Sequence, residues 1–473
     1  MPTQNTPTVS RRAPKAAALA SFLAGTVCVG GIAGAAEPTT AELLEQIEAL
    51  QAQVEKMQAD ETKADAPDAV AAALADAKAR SAGPLLLQVD DPDPFTAGHN
   101  GKFLLQSDDG LFSLNPNFQL QVRHVANFAP EDGDAFEDFD FGWEIRRFKV
   151  GFKGNAFSED LTYDFKFAFE RSGGDAVLEN AFIDYTPENG VLFGDGWGFR
   201  IGQYKDPTFF EESTSSSKQM AVDRSLVNET LGGGITDYVQ GAGLIYKGDK
   251  FKALFAYVDG AGTANTNFSD AGDLRAGFSA RADWLLSGTD DDAFGDFTAL
   301  ETEETASRIG AGAFIDLNEL DDDVDGDFAY LLLATVDYGL ETATGGSLFV
   351  AGYLRHVDNG LNDDAGFDST DFGAEVQYAQ VLDQEAGWEV FGRYDFIILD
   401  EDIVFDEGGN GEDFFHEFTV GVNKYWVDHK VKMTIDASYL FNGNPGGNSG
   451  LGYRSQTDDE GQATIRGQFQ LLL

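Results

Sequence analysis

The sequence is poor in three things: it has one cysteine in 473 residues, 32 Lys and Arg against 81 Asp and Glu, and a single long apolar run. One cysteine excludes an internal disulfide framework and a multi-thiolate zinc or iron–sulfur site. The cation deficit gives a formal charge of −49, which excludes nucleic acid as a partner of the whole chain, because phosphate binding needs clustered cations. With no second apolar run, any further contact with a bilayer has to be made by something other than a transmembrane helix.

That one run is at the N-terminus. Arg11, Arg12 and Lys15 precede the uncharged stretch Ala16 to Ala36, which ends in Ala33-Gly34-Ala35-Ala36. A basic start, an apolar centre and a small-residue end predict a secretory signal over residues 1–36, cut after Ala35 or Ala36. The alternative is an uncleaved anchor, which the richness in Ala and Gly rather than Leu disfavours. Cys28 lies inside the run and leaves with it, so the exported chain is expected to be cysteine-free and still more acidic.

Residues 37–60 carry a heptad. Leu43, Ile47, Leu50, Val54 and Met57 recur at alternating spacings of four and three, the seam of a coiled coil in the periplasm, with an amphipathic helix lying on the body as the alternative. So short a seam needs an assembly already held together elsewhere. Residues 61–102, with Pro67, Pro84, Pro92 and Pro94, read as a linker.

From residue 103 to the end the pattern has a period of two. In Leu161 to Glu170 the odd positions are Leu, Tyr, Phe, Phe and Phe, and the even ones Thr, Asp, Lys, Ala and Glu. Only a strand separates these two sets onto opposite faces. Phe118/Leu120/Val122 against Gln119/Gln121/Arg123 repeats the pattern, as do Phe148/Val150/Phe152 against Arg147/Lys149/Lys153 and Val431/Met433/Ile435 against Lys432/Thr434/Asp436. About sixteen such segments of roughly ten residues each predict a transmembrane antiparallel β-barrel over 103–473. Short turns such as Lys247 to Lys250 on one side, and longer acidic loops at 129–140, 289–304, 319–327 and 400–413 on the other, fit that reading. Trp143, Trp197, Trp284, Trp388, Tyr425 and Trp426 stand near strand ends, as interfacial girdles require. A soluble sandwich or propeller would show the same alternation, but neither the girdles nor the lack of a blade-length repeat suits it. The final segment, Ile465 to Leu473, resembles the C-terminal strand read by the outer-membrane assembly machinery, although that signal usually ends in Phe or Trp.

Ile145-Arg-Arg-Phe-Lys-Val-Gly-Phe-Lys-Gly154, Glu179-Asn-Ala-Phe-Ile-Asp-Tyr185, Gly202-Gln-Tyr-Lys-Asp-Pro207 and Met220-Ala-Val-Asp-Arg-Ser225 together resemble the phosphate-selective porin O/P family. The resemblance implies a trimeric, sixteen-stranded outer-membrane channel, often preceded by a short coiled coil. It also implies that the loop after Pro207 folds inward and narrows the pore.

Parity places Arg123, Arg147, Lys149, Lys153, Lys166, Arg281, Lys432 and Arg466 on polar faces, while Arg200, Lys205, Lys218 and Arg224 flank or occupy the inward loop. Cations in a narrow lumen attract anions. The competing reading pairs them with lumen acids such as Asp164, Asp283 and Asp436. Asp321, Asp323 and Asp325 match the first half of a calcium loop, but the twelfth position is Leu332, so a weak surface calcium or magnesium site is the most they offer. His416-Glu417 begins a zinc-protease pattern that Val420 breaks, and there is no nucleophile elbow. The expectation is therefore a porin passing small hydrophilic solutes or anions without a cofactor, in contact with outer-membrane lipid. The alternative is a structural anchor tethering the envelope through its coiled coil.

Overall fold

The computed structural model describes residues 95–99, 103–129, 139–171, 173–267, 274–288, 295–300, 302–319, 328–358, 368–400, 413–445, 449–454 and 461–473. The expected signal (1–36), the heptad (37–60) and Asp321, Asp323 and Asp325 lie outside them.

A hairpin comes first: β1 (Phe95–His99), which falls in the stretch read as linker, and β2 (Phe103–Ser107). Then come β3 (Ser113–Phe128), β4 (Phe139–Asn155), β5 (Leu161–Phe169), β6 (Ala176–Tyr185), β7 (Trp197–Lys205), β8 (Tyr238–Lys247), β9 (Phe251–Val258) and β10 (Leu274–Ser287). The rest are β11 (Ala306–Glu319), β12 (Phe328–Glu341), β13 (Gly346–Asp358), β14 (Asp368–Asp383), β15 (Trp388–Ile398), β16 (Phe414–Val427), β17 (Val431–Leu440) and β18 (Gln462–Leu472). Each strand from β3 to β18 pairs antiparallel with the next, and β18 pairs with β3, so sixteen strands close into a barrel. Closure removes the sheet edges that hydrocarbon cannot satisfy. At the seam, Leu473 and Phe118 exchange both backbone hydrogen bonds at 3.0 Å.

The period of two sets the two faces. On β5, Phe165 and Phe167 are exposed on the outer surface while Asp164 is buried inside. Trp197, Trp284, Trp388 and Trp426 all lie near the short-turn end of their strands and form one girdle; Trp143 lies toward the other end. Tyr425 is not part of the girdle. As the neighbour of Trp426 it faces the opposite way, into the lumen, where its hydroxyl donates to Glu389 at 2.8 Å. The segment 289–304, expected among the long loops of the other side, joins β10 to β11 at the short-turn end. The number of strand crossings, rather than loop length, decides the side.

The wall is uneven. β5 to β9 have 8–10 residues, against 16 for β3 and 17 for β4. Among the described residues β4 pairs with β5 only from Lys149 to Asn155, so its first part stands above a low rim.

Residues 206–237, between β7 and β8, turn into the barrel. They contain three short helices, α1 (Phe210–Ser213), α2 (Leu226–Leu231) and α3 (Gly233–Thr236). The two ends are tied where the Asp206 N–H donates to the Asp237 carbonyl at 2.9 Å. Phe209, Met220, Leu226, Val227 and Leu231 are fully buried against inward-facing apolar residues of the wall, including Leu333, Phe349, Tyr353, Ile397 and Phe415. Phe209 stacks on Tyr353 with ring centres 5.5 Å apart. Burial of this apolar seam, unusual for a lumen, draws the segment inward. At its root the chain comes so close to β11 that a Cβ on Gly312 would lie 2.1 Å from the Thr208 carbonyl oxygen.

Gly202, in β7, adopts φ +129°, and a Cβ there would meet the Ala181 carbonyl oxygen at 2.1 Å. The backbone strain alone costs a non-glycine residue about 1–3 kcal/mol, and the clash adds to it. Gly202→Val is expected to reduce the folded barrel sharply, read as loss of the heat-modifiable band on electrophoresis and a lower urea midpoint.

Candidate functional site

On β4 the inward positions are Arg147, Lys149, Gly151 and Lys153. A strand advances about 3.3 Å per residue, so Arg147 to Lys153 covers about 20 Å of wall. Gly151 leaves a gap in this row, and Lys166 of β5, its ladder partner, stands beside it. Lys153 pairs with Asp164 at 2.9 Å and Lys149 with Glu179 at 2.5 Å.

Two β-bulges add charges that alternation misses. Between Gln121/Arg147 and Val122/Ile145 the ladder skips Arg146, and between Lys166/Asn180 and Phe167/Leu178 it skips Glu179. A bulge sets two residues of one strand against one of its partner, so consecutive side chains share a face. Arg146 therefore joins Arg147 inside, where its Nε donates to Asp223 Oδ1 at 2.9 Å.

Asp223 belongs to the inward segment and is buried. Arg123 pairs with it and with Glu144, and Arg147 Nη2 is 3.6 Å from Asp223 Oδ1. Burial would raise the Asp223 carboxyl, but Arg123, Arg146 and Arg147 outweigh it and hold the group well below the usual carboxylate range. Its contribution to stability is thus complete at neutral pH and is lost only on strong acidification. Arg224 donates to the carbonyls of Glu211, Glu212 and Thr214 at 3.0–3.1 Å, closing the end of α1, and pairs with the Glu212 carboxylate. Lys205 pairs with Glu212 and lies 4.7 Å from the Tyr238 ring centre.

Between this wall and the segment is a cavity of about 410 Å³. Arg146, Arg147, Lys149, Lys153, Lys166, Lys205 and Arg224 line it together with Glu179, Glu212, Glu229 and Asp237, seven bases against four acids. Ser213, Thr214, Ser215 and Ser216 supply hydroxyl groups from the segment. Arg146, Arg147, Lys149 and Glu179 also line a second space of about 710 Å³ that reaches Glu144 and Arg171 over the low rim. Burial, and then the nearby Glu212, push the Glu229 carboxyl up to about 7. Burial would raise Glu212, but Arg224 and Lys205 outweigh it and bring it down to about 2.

Six residues expected in a lumen thus converge on one cavity: Arg147, Lys149, Lys153, Lys166, Lys205 and Arg224. The other four do not line it. Arg123 lies behind it in the Asp223 knot. Arg200 forms a bidentate pair with Asp184 at 2.7 and 2.9 Å, beneath Phe182. Lys218 faces Asp296 at 3.7 Å. Arg281 is shared between Asp283, Asp337 and the Thr208 carbonyl. Pairing with lumen acids therefore accounts for these four, and Arg466 likewise bonds Asp436 at 2.7 Å. Among the described residues no cluster of three or more metal-ligating side chains occurs.

Residues 113–330 match the model of the family phosphate-selective porin O and P. That stretch runs from the first barrel strand into β12 and includes every residue lining the 410 Å³ cavity. Porin folds also stand among the solved structures. An anion-selective porin from Comamonas acidovorans superposes with a TM-score of 0.51 at 12% identity, over 76% of this chain and all (100%) of that one. The outer-membrane channel DcaP of Acinetobacter baumannii superposes with a TM-score of 0.51 at 10% identity, over 80% of this chain and 100% of that one. At such identities the likeness is one of fold. A comparison with curated protein sequences finds no match.

Removing the Asp223 carboxylate leaves Arg123, Arg146 and Arg147 facing one another inside the barrel. Breaking a buried pair in this way costs about 3–5 kcal/mol. Asp223→Ala is expected to keep the barrel heat-modifiable while detaching the segment, read as new trypsin cleavage after Lys218 or Arg224 in the folded protein.

Proposed function

We propose that the protein is an outer-membrane porin through which small hydrophilic solutes diffuse passively, with a mild preference for anions. The path is the space between the β4–β7 wall and the inward segment, lined by Arg146, Arg147, Lys149, Lys153, Lys166, Lys205 and Arg224. The observation that carries this reading is the basic excess of that cavity in a chain of formal charge −49. Exposed acids are screened within about 8 Å at physiological salt, whereas charges in a narrow, partly dry passage are not. The sign of selectivity therefore follows the inner cations. The inward carboxylates keep the preference mild and favour a general pore over a dedicated phosphate channel. Arg123, Arg200, Lys218 and Arg281 serve as scaffold.

The assembly we propose is a homotrimer. Phe139, Phe141, Trp143 and Ile145, on the part of β4 that rises above the low rim, are 41–76% exposed. An apolar face beside a half-paired strand suits a second copy better than water. Chemical cross-linking of the detergent-solubilised protein should end at three chains.

Liposomes containing the refolded protein should swell in isosmotic sugar. Intact, non-swelling liposomes would favour a structural anchor instead. In a salt gradient, Lys149→Gln, Lys153→Gln and Lys166→Gln combined should lower the anion-to-cation permeability ratio several-fold, measured as a reversal potential displaced toward cations.

Glu229 gives the pore a pH dependence of defined sign. Its carboxyl is held near pH 7, so acidification from about 8 to 6 removes a negative charge from the passage. Anion preference should therefore rise on acidification. Glu229→Gln should raise anion preference at pH 8 and weaken its dependence on pH.

A further inference from the structure

Residues 295–300 enter the lumen from the short-turn end, within the 288–305 connection from β10 to β11. Phe297 is 2% exposed, and its ring meets Phe210 of α1 at 5.6 Å and Phe349 of β13 at 5.1 Å, both edge-on. Phe210 and Phe349 are themselves 5.5 Å apart, so the three rings close a cluster. The residues on either side of Phe297 extend this contact. Asp296 Oδ2 is 3.3 Å from His429 in the β16–β17 turn and 3.7 Å from Lys218 of the inward segment. Thr298 donates its hydroxyl to Glu389 of β15, whose other oxygen accepts from Asn423 and Tyr425 at 2.8 Å each. The Thr298 N–H returns to Asp296 Oδ1 at 3.0 Å, fixing the turn.

We infer that residues 295–300 are a clasp: Asp296, Phe297 and Thr298 hold the inward segment against the β10–β18 wall and keep that half of the lumen shut, confining permeation to the cationic half. The inference rests on the porin reading and adds to it a second element that sets the aperture. The segment is attached to the wall on two sides. On the β3–β4 side it is held by charge, through Asp223 and three arginines. On the far side apolar packing is joined by side chains of the wall that bond the segment's backbone: Arg393 donates to the Asp223 and Arg224 carbonyls, Asn423 to Met220 and Lys432 to Gln219, and Asp436 accepts from the Val222 N–H. The clasp adds to these a hold from the end opposite to the one where the segment enters, gripping α1 through Phe210 and the chain after it through Lys218. Released from it, α1 and the chain up to Lys218 have room to shift and open a path that bypasses the row Arg147 to Lys153.

The test uses the full-length protein in planar bilayers. Asp296→Asn, Phe297→Ser and Thr298→Ala combined should at least double the single-channel conductance, increase its fluctuation and reduce anion preference, with the heat-modifiable band retained. A second arm does not depend on that variant folding. Cys28 is the only cysteine and lies in the expected signal, so Thr298→Cys gives the barrel a unique thiol. A charged thiol reagent should modify it at least tenfold more slowly than Thr344→Cys in the exposed β12–β13 turn, and modification should raise conductance. Wild-type conductance and selectivity in the triple variant would overturn the clasp. So would a Thr298→Cys thiol that reacts as fast as the one at 344. A wild-type protein without conductance would overturn the porin reading instead, and thiol protection at 298 would still report on the clasp.

Discussion

A carboxylate shared by three arginines joins the wall of this barrel to its contents. Among the described residues Asp223 pairs with both Arg146 and Arg147 and shares Arg123 with Glu144. Each of these cations is costly to remove from water, and the acid beside them is what makes their burial tolerable. The same contact fixes how far the inward segment stands from β4, and so the width of the space that Lys149 and Lys166 face. Cationic character and aperture are therefore set together: a shift of the segment would change the passage and unpair its charges at once.

The architecture was legible because it depends on a strong and redundant signal. Alternation in Leu161 to Glu170, or in Val431 to Tyr439, admits only one assignment of faces, and every strand repeats the message. The inward position of Lys149, Lys153 and Lys166 followed by counting. Counting could not tell which inward cations meet a common space and which are absorbed by neighbours. Arg123 and Lys149 have the same parity and the same type of charge, but one is enclosed by Glu144 and Asp223 while the other lines a cavity, a difference made in part by Asp223, 100 positions away in sequence.

Arg146, Glu179 and Tyr425 were misread or missed for a related reason. A bulge is a local departure from the period, which parity alone does not register. The pair Arg146-Arg147 carried a faint signal, since two adjacent charges on a membrane strand leave one facing lipid unless the strand bulges there. The adjacency of Tyr425 and Trp426 was a clearer one, because neighbours on a strand cannot share a girdle. The connection at 289–304 is acidic like the loops of the other end, although its position between the eighth and ninth barrel strands fixes its side.

The two bulges also bear on how such a barrel tolerates insertion and deletion. Loss of one residue from a regular strand turns every later side chain over, sending Phe148 and Val150 into the lumen and Lys149 into lipid. At Arg146 or Glu179 the partner strand has already skipped one position, so removing that residue straightens the strand and leaves the faces on either side unchanged. At these two places in the lining a charge is gained or lost by a single in-frame codon while the membrane-facing surface stays intact. The basic and acidic content of the passage is thus open to change by length as well as by substitution.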